Sequence, residues 1–169
     1  MTIRNLIGAS TLGVMLGFGS PVNANDDWDF TLIFPDGVAC IGFDLEVSIR
    51  TPDNRVFREW TDENGNPVRM FQGGKGNELL FRNLDDPWVE EFYTKTGGSV
   101  EHKIIHPDGS ETAKATGHNV LVWFPADLPD GPWVRLYVGK VVYTISSDGI
   151  WTLEEANGKE TDICAALSG

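Results

Sequence analysis

Residues 40–49 read CIGFDLEVSI. Ile41, Phe43, Leu45, Val47 and Ile49 fall on one side of an extended chain, and Gly42, Asp44, Glu46 and Ser48 fall on the other. A strict period of two over this length predicts a β-strand with one buried and one wet face.

The same grammar continues outward. Residues 55–60, RVFREW, and 62–71, DENGNPVRMF, read as a hairpin turning at Asn64-Gly65, a dipeptide that tolerates positive φ. NELLFRNL (77–84) runs into DDPWVEEFY, where Pro87 has no backbone donor and marks the connection or a strand start. SVEHKIIH (99–106) leads to a Pro107-Asp108-Gly109 turn, then ETAKATG and NVLVWF. A second Pro-Asp-Gly, at 129–131, precedes WVRLYV (133–138). Gly139-Lys140 separates that stretch from VVYTIS, Asp148-Gly149 turns into IWTLEE, and Asn157-Gly158 forms a further turn. About ten strands with turns at this spacing, and no helical stretch alternating with them, predict an all-β, single-domain antiparallel β-sandwich or flattened barrel.

The first 24 residues have the layout of a secretory signal peptide. Arg4 gives a short basic start, Leu6 to Gly19 are uncharged and apolar, and Val22-Asn23-Ala24 suits a cleavage site. The apolar run is shorter than the ~20 residues needed to span a bilayer. The expectation is a leader at 1–24 and a secreted β domain at 25–169, either extracellular or periplasmic, with no membrane insertion of the mature chain. An exported chain enters an oxidising space, where its two cysteines, Cys40 and Cys164, can pair. That bond would tie the start of the domain to its end; two free thiols or an intermolecular bond are the alternatives.

The chain carries 13 basic and 25 acidic residues, a net charge of −12. Such a chain repels phosphate backbones, which argues against nucleic-acid binding. The acids are scattered, as on an ordinary solvated surface.

The segments REWTDENGNPVRM (58–70), LLFRNLDDP (79–87), HPDGSETAKATGHNVLVWF (106–124), GPWVRLYVGKVVY (131–143) and TDICAALSG (161–169) together resemble a group of small secreted bacterial β-rich proteins. That group has an N-terminal cysteine and a D-x-C-A-A-L ending. The resemblance implies the fold and secretion, and implies no catalytic residues.

No catalytic signature stands out. The histidines 102 and 106 share a strand face but lie about 13 Å apart, too far for one metal ion. Asp62, Glu63, Asn64 and Asn66, like Asp85 and Asp86, read as turn residues rather than a calcium loop. Neither a metal nor a cofactor is expected. Six tryptophans are many for this length. In WVRLYV, Val134, Leu136 and Val138 form an aliphatic face, whereas Trp133, Arg135 and Tyr137 form an aromatic–basic one. If the aliphatic face is core, the other displays a ligand-contact strip; the alternative is a central strand covered on both sides, with the aromatics filling core. The leading expectation is a secreted, non-catalytic module binding a glycan or another exported protein. Two alternatives are an extracellular hydrolase with a carboxylate pair and a carrier of an apolar ligand.

Overall fold

The computed structural model describes residues 28–169, so the leader at 1–24 lies outside the described residues. Ten strands form two antiparallel sheets. The smaller holds β1 (Phe30–Phe34), β2 (Leu45–Arg50), β5 (Glu78–Asn83) and β6 (Phe92–Lys95), in the order β1-β2-β5-β6. The larger holds β3 (Arg55–Thr61), β4 (Pro67–Gly74), β7 (Val100–Ile105), β8 (Glu111–Trp123), β9 (Trp133–Ile145) and β10 (Trp151–Asp162), in the order β10-β9-β8-β7-β4-β3. The expected sandwich is what forms.

Its main core lies between the sheets. Leu45, Val47 and Ile49 of β2 meet Leu32 and Phe34 of β1, Leu79 and Phe81 of β5, and Val120, Val122, Val134 and Leu136 from the larger sheet. The 40–49 alternation is therefore correct from Phe43 onward. It fails at its start: the strand begins at Leu45, and Ile41 is exposed. Three carboxylates bend residues 36–44 away from strand geometry. Asp36 accepts from Gly42 N, Asp44 accepts from Asp36 N, and Asp85 accepts from Asp44 N. The outer side of β2 is also drier than the pattern implies, because Ser48 is buried and hydrogen-bonded to Thr31 of β1.

The chain's end is built into this core. Asp162 caps the short helix α1 (Ile163–Ala166) by accepting from Ala165 N. Ile163 and Leu167 are fully buried in the inter-sheet core, and Asn83 Nδ2 donates to the Leu167 carbonyl. Cys164, between them, is disulfide-bonded to Cys40, with their Cα atoms 5.5 Å apart. The Asp-x-Cys-Ala-Ala-Leu tail thus contains a cap, a covalent bond and core contacts.

The Asn64-Gly65 hairpin forms between β3 and β4, but not as a two-residue turn. Asp62 accepts from the amides of Asn64 and Asn66, and Gly65 alone takes positive φ. Three other expected breaks are absent. β8, β9 and β10 run unbroken through Gly117, Gly139 and Gly158, which are register partners in one row across the sheet. A side chain at 139 would put its Cβ 2.1 Å from the Asn157 carbonyl oxygen, so the row lets three backbones approach where bulkier residues cannot. β1 was not anticipated from sequence; with three pairs of stretches fused, the strand count still comes to ten.

On one side of the glycine row, β8 and β9 supply the inter-sheet core. The larger sheet also buries a second cluster on its opposite face: Ala113, Ala115, Leu121, Trp123, Trp133, Tyr137, Val141, Tyr143, Ile145 and Trp151. Trp123 stacks on Trp133 with centroids 4.5 Å apart, and Tyr143 stacks on Trp151 at 4.8 Å. The connection between β8 and β9 closes over this cluster. Leu128 exchanges backbone hydrogen bonds with Trp151 and Leu153, its carbonyl accepts from Trp123 Nε1, and buried Asp127 accepts from Phe124 N and Trp151 N.

Candidate functional site

The expected strip on β9 is not accessible. Trp133 and Tyr137 are only 6% and 3% exposed. Their alternation with Val134 and Leu136 is real, but both faces of β9 are core. Arg135 does not lead this face to water. Its guanidinium lies 4.5 Å from the Trp133 ring centroid, and Nη1 pairs with Glu160 of β10 at 2.9 Å. Burial pushes the Tyr137 hydroxyl above the usual phenol range.

An accessible aromatic and basic face does exist on the same sheet, on β3, β4, β7 and β8. Cross-strand partners share a face, and three rows follow from the pairing. Trp60, Arg69, Ile104 and Thr112 make one; Arg58, Phe71, His102 and Lys114 make the next; Val56, Gly73, Val100 and Thr116 make the third. Ile104 is 51% exposed and Trp60 42%. The Arg69 guanidinium lies 5.0 Å from the Trp60 ring centroid. Phe71 meets His102 edge-on at 4.9 Å. Arg69, Val100, His102, Ile104, Lys114 and Thr116 line a shallow hollow of about 450 Å³.

Charge is sorted across these strands. None of the outward positions in the three rows carries a carboxylate, and three carry Arg or Lys. The carboxylates of the same strands, Glu59, Glu101 and Glu111, occupy the opposite face with Arg55 and Lys103. There Lys103 pairs with Glu111 at 2.7 Å, and Gln72 donates to Glu101 at 3.1 Å. Burial raises the Glu101 pKa above its ordinary value, against the pull of Lys103 and Gln72. Burial likewise drives the Tyr143 hydroxyl well up, with the Glu101 charge adding to it.

β7 is therefore inverted relative to the usual rule: Glu101 and Lys103 point in, at 5% and 9% exposure, while His102 and Ile104 point out. Sequence reasoning missed this face because alternation separates two faces without saying which is covered. The available signal was the pairing of VEHKII with a strand of small inward residues, Ala113 and Ala115, which leave room for long charged side chains.

A separate cleft of about 460 Å³ opens at the ends of β2, β4, β5 and β6. Arg50, Lys75 and Lys95 line it together with Glu78 and the backbones of Gly74, Gly76, Gly97 and Gly98. Glu78 accepts from Lys95 Nζ at 2.6 Å and from Arg50 Nη1 at 3.1 Å. The Lys95 hydrogen bond holds the Glu78 carboxyl below the usual carboxylate range.

His106 contacts Thr112 rather than a metal-binding neighbour, and among the described residues no three His, Cys, Asp or Glu side chains gather into a metal-holding group. No helix among the described residues is long and apolar enough to cross a membrane. No protein-family model, curated protein or solved structure matches the chain.

Proposed function

We propose that the protein is an exported, non-catalytic binding module whose β3–β4–β7–β8 face holds an acidic polysaccharide such as a polyuronate. The inversion of β7 carries the reading. Placing Ile104 and His102 outward while Glu101 and Lys103 are buried loses apolar burial and removes charges from water, both unfavourable to folding alone. The result is a flat surface with Trp60 for the C–H face of a sugar ring and Arg58, Arg69 and Lys114 for its carboxylates. Arg58 and Lys114 lie three strands apart, about 14 Å, which suits an extended polymer. Within these four strands no outward residue is acidic, and the middle row meets its first carboxylate, Glu155, only on β10, where Lys140 pairs with it; this sorting favours an anionic ligand on a chain whose overall charge is −12. The disulfide fits the oxidising compartment that the leader predicts.

Titration calorimetry with tetragalacturonate and with neutral cellotetraose tests this. The uronate is expected to bind more tightly, with affinity falling as salt rises. Trp60→Ala should weaken it about tenfold, the loss of one ring stack, without changing the unfolding midpoint. Equal affinity for cellotetraose, tighter binding of poly-glutamate, or indifference to Trp60→Ala would overturn the reading.

A further inference from the structure

The cleft and the face are neighbours. Gly74, which lines the cleft, follows Gly73 of the third row on β4, and Gly98 lies two residues before Val100 of the same row. We infer that the cleft seats the terminal uronate of the polysaccharide, so that the module recognises chain ends. This inference rests on the proposed acidic-glycan reading.

Three features of the cleft support it. Its side chains sum to +2, with Arg50, Lys75 and Lys95 against Glu78. Against the chain's overall −12, a concave cationic site focuses potential on an anion. Two of these cations are already oriented. Glu78 holds Arg50 and Lys95 from one side, and Lys95 Nζ also lies 5.9 Å from the Tyr93 ring centroid. Lys75 is exposed at the rim and makes no ion pair with the described residues.

The third feature is a close backbone contact at Gly76 beside the open glycines 97 and 98. A Cβ on Gly76 would lie 1.6 Å from the Thr96 carbonyl oxygen, so the 75–77 and 96–98 segments are pressed together. Thr96 N and Oγ1 both donate to the Asn77 carbonyl and fix that contact. The amides of Gly76, Gly97 and Gly98 donate to nothing among the described residues. Such backbone donors suit a carboxylate that approaches closely. From Arg69 to Gly74 the track along β4 is about 17 Å, the length of a short oligosaccharide. A longer chain must continue off the face away from the cleft. The two loops meet at Gly76 and Thr96, beyond Gly74 at the cleft end of this track, which favours an end over an internal unit.

The test uses the whole protein, with galacturonate, tetragalacturonate and high-molecular-weight polygalacturonate as probes compared at equal uronate concentration. End recognition predicts tighter binding per uronate for the tetramer than for the polymer. Lys75→Glu should weaken tetramer binding about tenfold or more, the scale of a lost charge-assisted contact. Lys159→Glu, the same charge change on exposed β10, should leave it unchanged. Galacturonate alone should bind weakly, sensitive to Lys75→Glu and insensitive to Trp60→Ala. The inference is overturned if Lys75→Glu has no effect on the tetramer, or if the polymer binds as tightly per uronate as the tetramer. In either case continued sensitivity to Trp60→Ala leaves the face reading standing. Loss of all uronate binding to the wild-type protein removes both.

Discussion

Trp133→Ala separates core from surface on the larger sheet. Trp133 stacks on Trp123 at 4.5 Å, meets Tyr137 edge-on at 6.5 Å and lies under the Arg135 guanidinium at 4.5 Å. Truncating a buried tryptophan costs about 3–5 kcal/mol when the site cannot collapse. Three rigid neighbours, two of them aromatic, prevent collapse here, and the stack and cation contact each add some fraction of a kcal/mol or more. The upper end, about 5 kcal/mol, is the expectation. At about 3 °C per kcal/mol for a domain of this size, that lowers the unfolding midpoint by about 15 °C. Trp60→Ala removes an exposed ring and should stay within about 1 kcal/mol. The assay is thermal denaturation followed by circular dichroism, with the oxidised protein throughout. A Trp133→Ala midpoint close to wild type, or a larger loss from Trp60→Ala, would refute the assignment of the two faces.

Intact mass should rise by about 2 Da on reduction, and Cys40→Ser/Cys164→Ser should destabilise by at most about 5 kcal/mol, the chain-entropy ceiling for a 124-residue loop; free thiols in the native protein would contradict it. The Glu101 pKa is raised by folding, so its carboxyl contributes stability in acid that is lost as pH climbs from the ordinary carboxylate range through the folded value. Glu101→Gln should therefore flatten the pH dependence over that window and leave the protein at least as stable at neutral pH; an unchanged slope in denaturation series would count against the buried carboxyl. Gly139→Ala should cost about 3 kcal/mol or more, since it adds a Cβ 2.1 Å from the Asn157 oxygen at φ 147. A soluble, wild-type-stable alanine variant would show that the glycine row is dispensable.

Local chemistry was legible in the sequence and layer geometry was not. The period of two from Phe43 to Ile49 and the Pro-Asp-Gly turn before β8 act through near neighbours, and two cysteines leave one intramolecular pairing. Asn157-Gly158 misled because an Asn-Gly pair signals a turn only when nothing across the sheet demands the glycine. Here Gly158 faces Gly139, which faces Gly117, and the outer two of these partners are 41 residues apart in the chain. The β9 strip failed for a related reason. WVRLYV states that its two faces differ, but Trp123, Trp151 and Tyr143, which cover the second face, arrive from elsewhere in the chain. The candidate face was hidden most deeply. Burying Glu101 and Lys103 depends on Gln72 and Glu111, one of them 29 residues away.

The inversion of β7 also constrains what the sheet is for. Register in a strand with period two is all or nothing, because a shift of one residue exchanges every side chain between faces. Shifting β7 by one residue would bury Val100, His102 and Ile104 and expose Glu101 and Lys103, which removes two charged groups from the interior. The observed register therefore gives up apolar burial and requires two buried polar pairs to compensate. Departures of this kind from the locally favourable choice concentrate where a protein meets something else. The glycine row makes the departure affordable. On one side of it β8 and β9 anchor the sheet through Val120, Val122, Val134 and Leu136, while on the other the sheet projects beyond the inter-sheet core. Its outward residues there belong to neither core cluster, so Trp60, Arg69, Ile104 and Lys114 can be selected for what they touch.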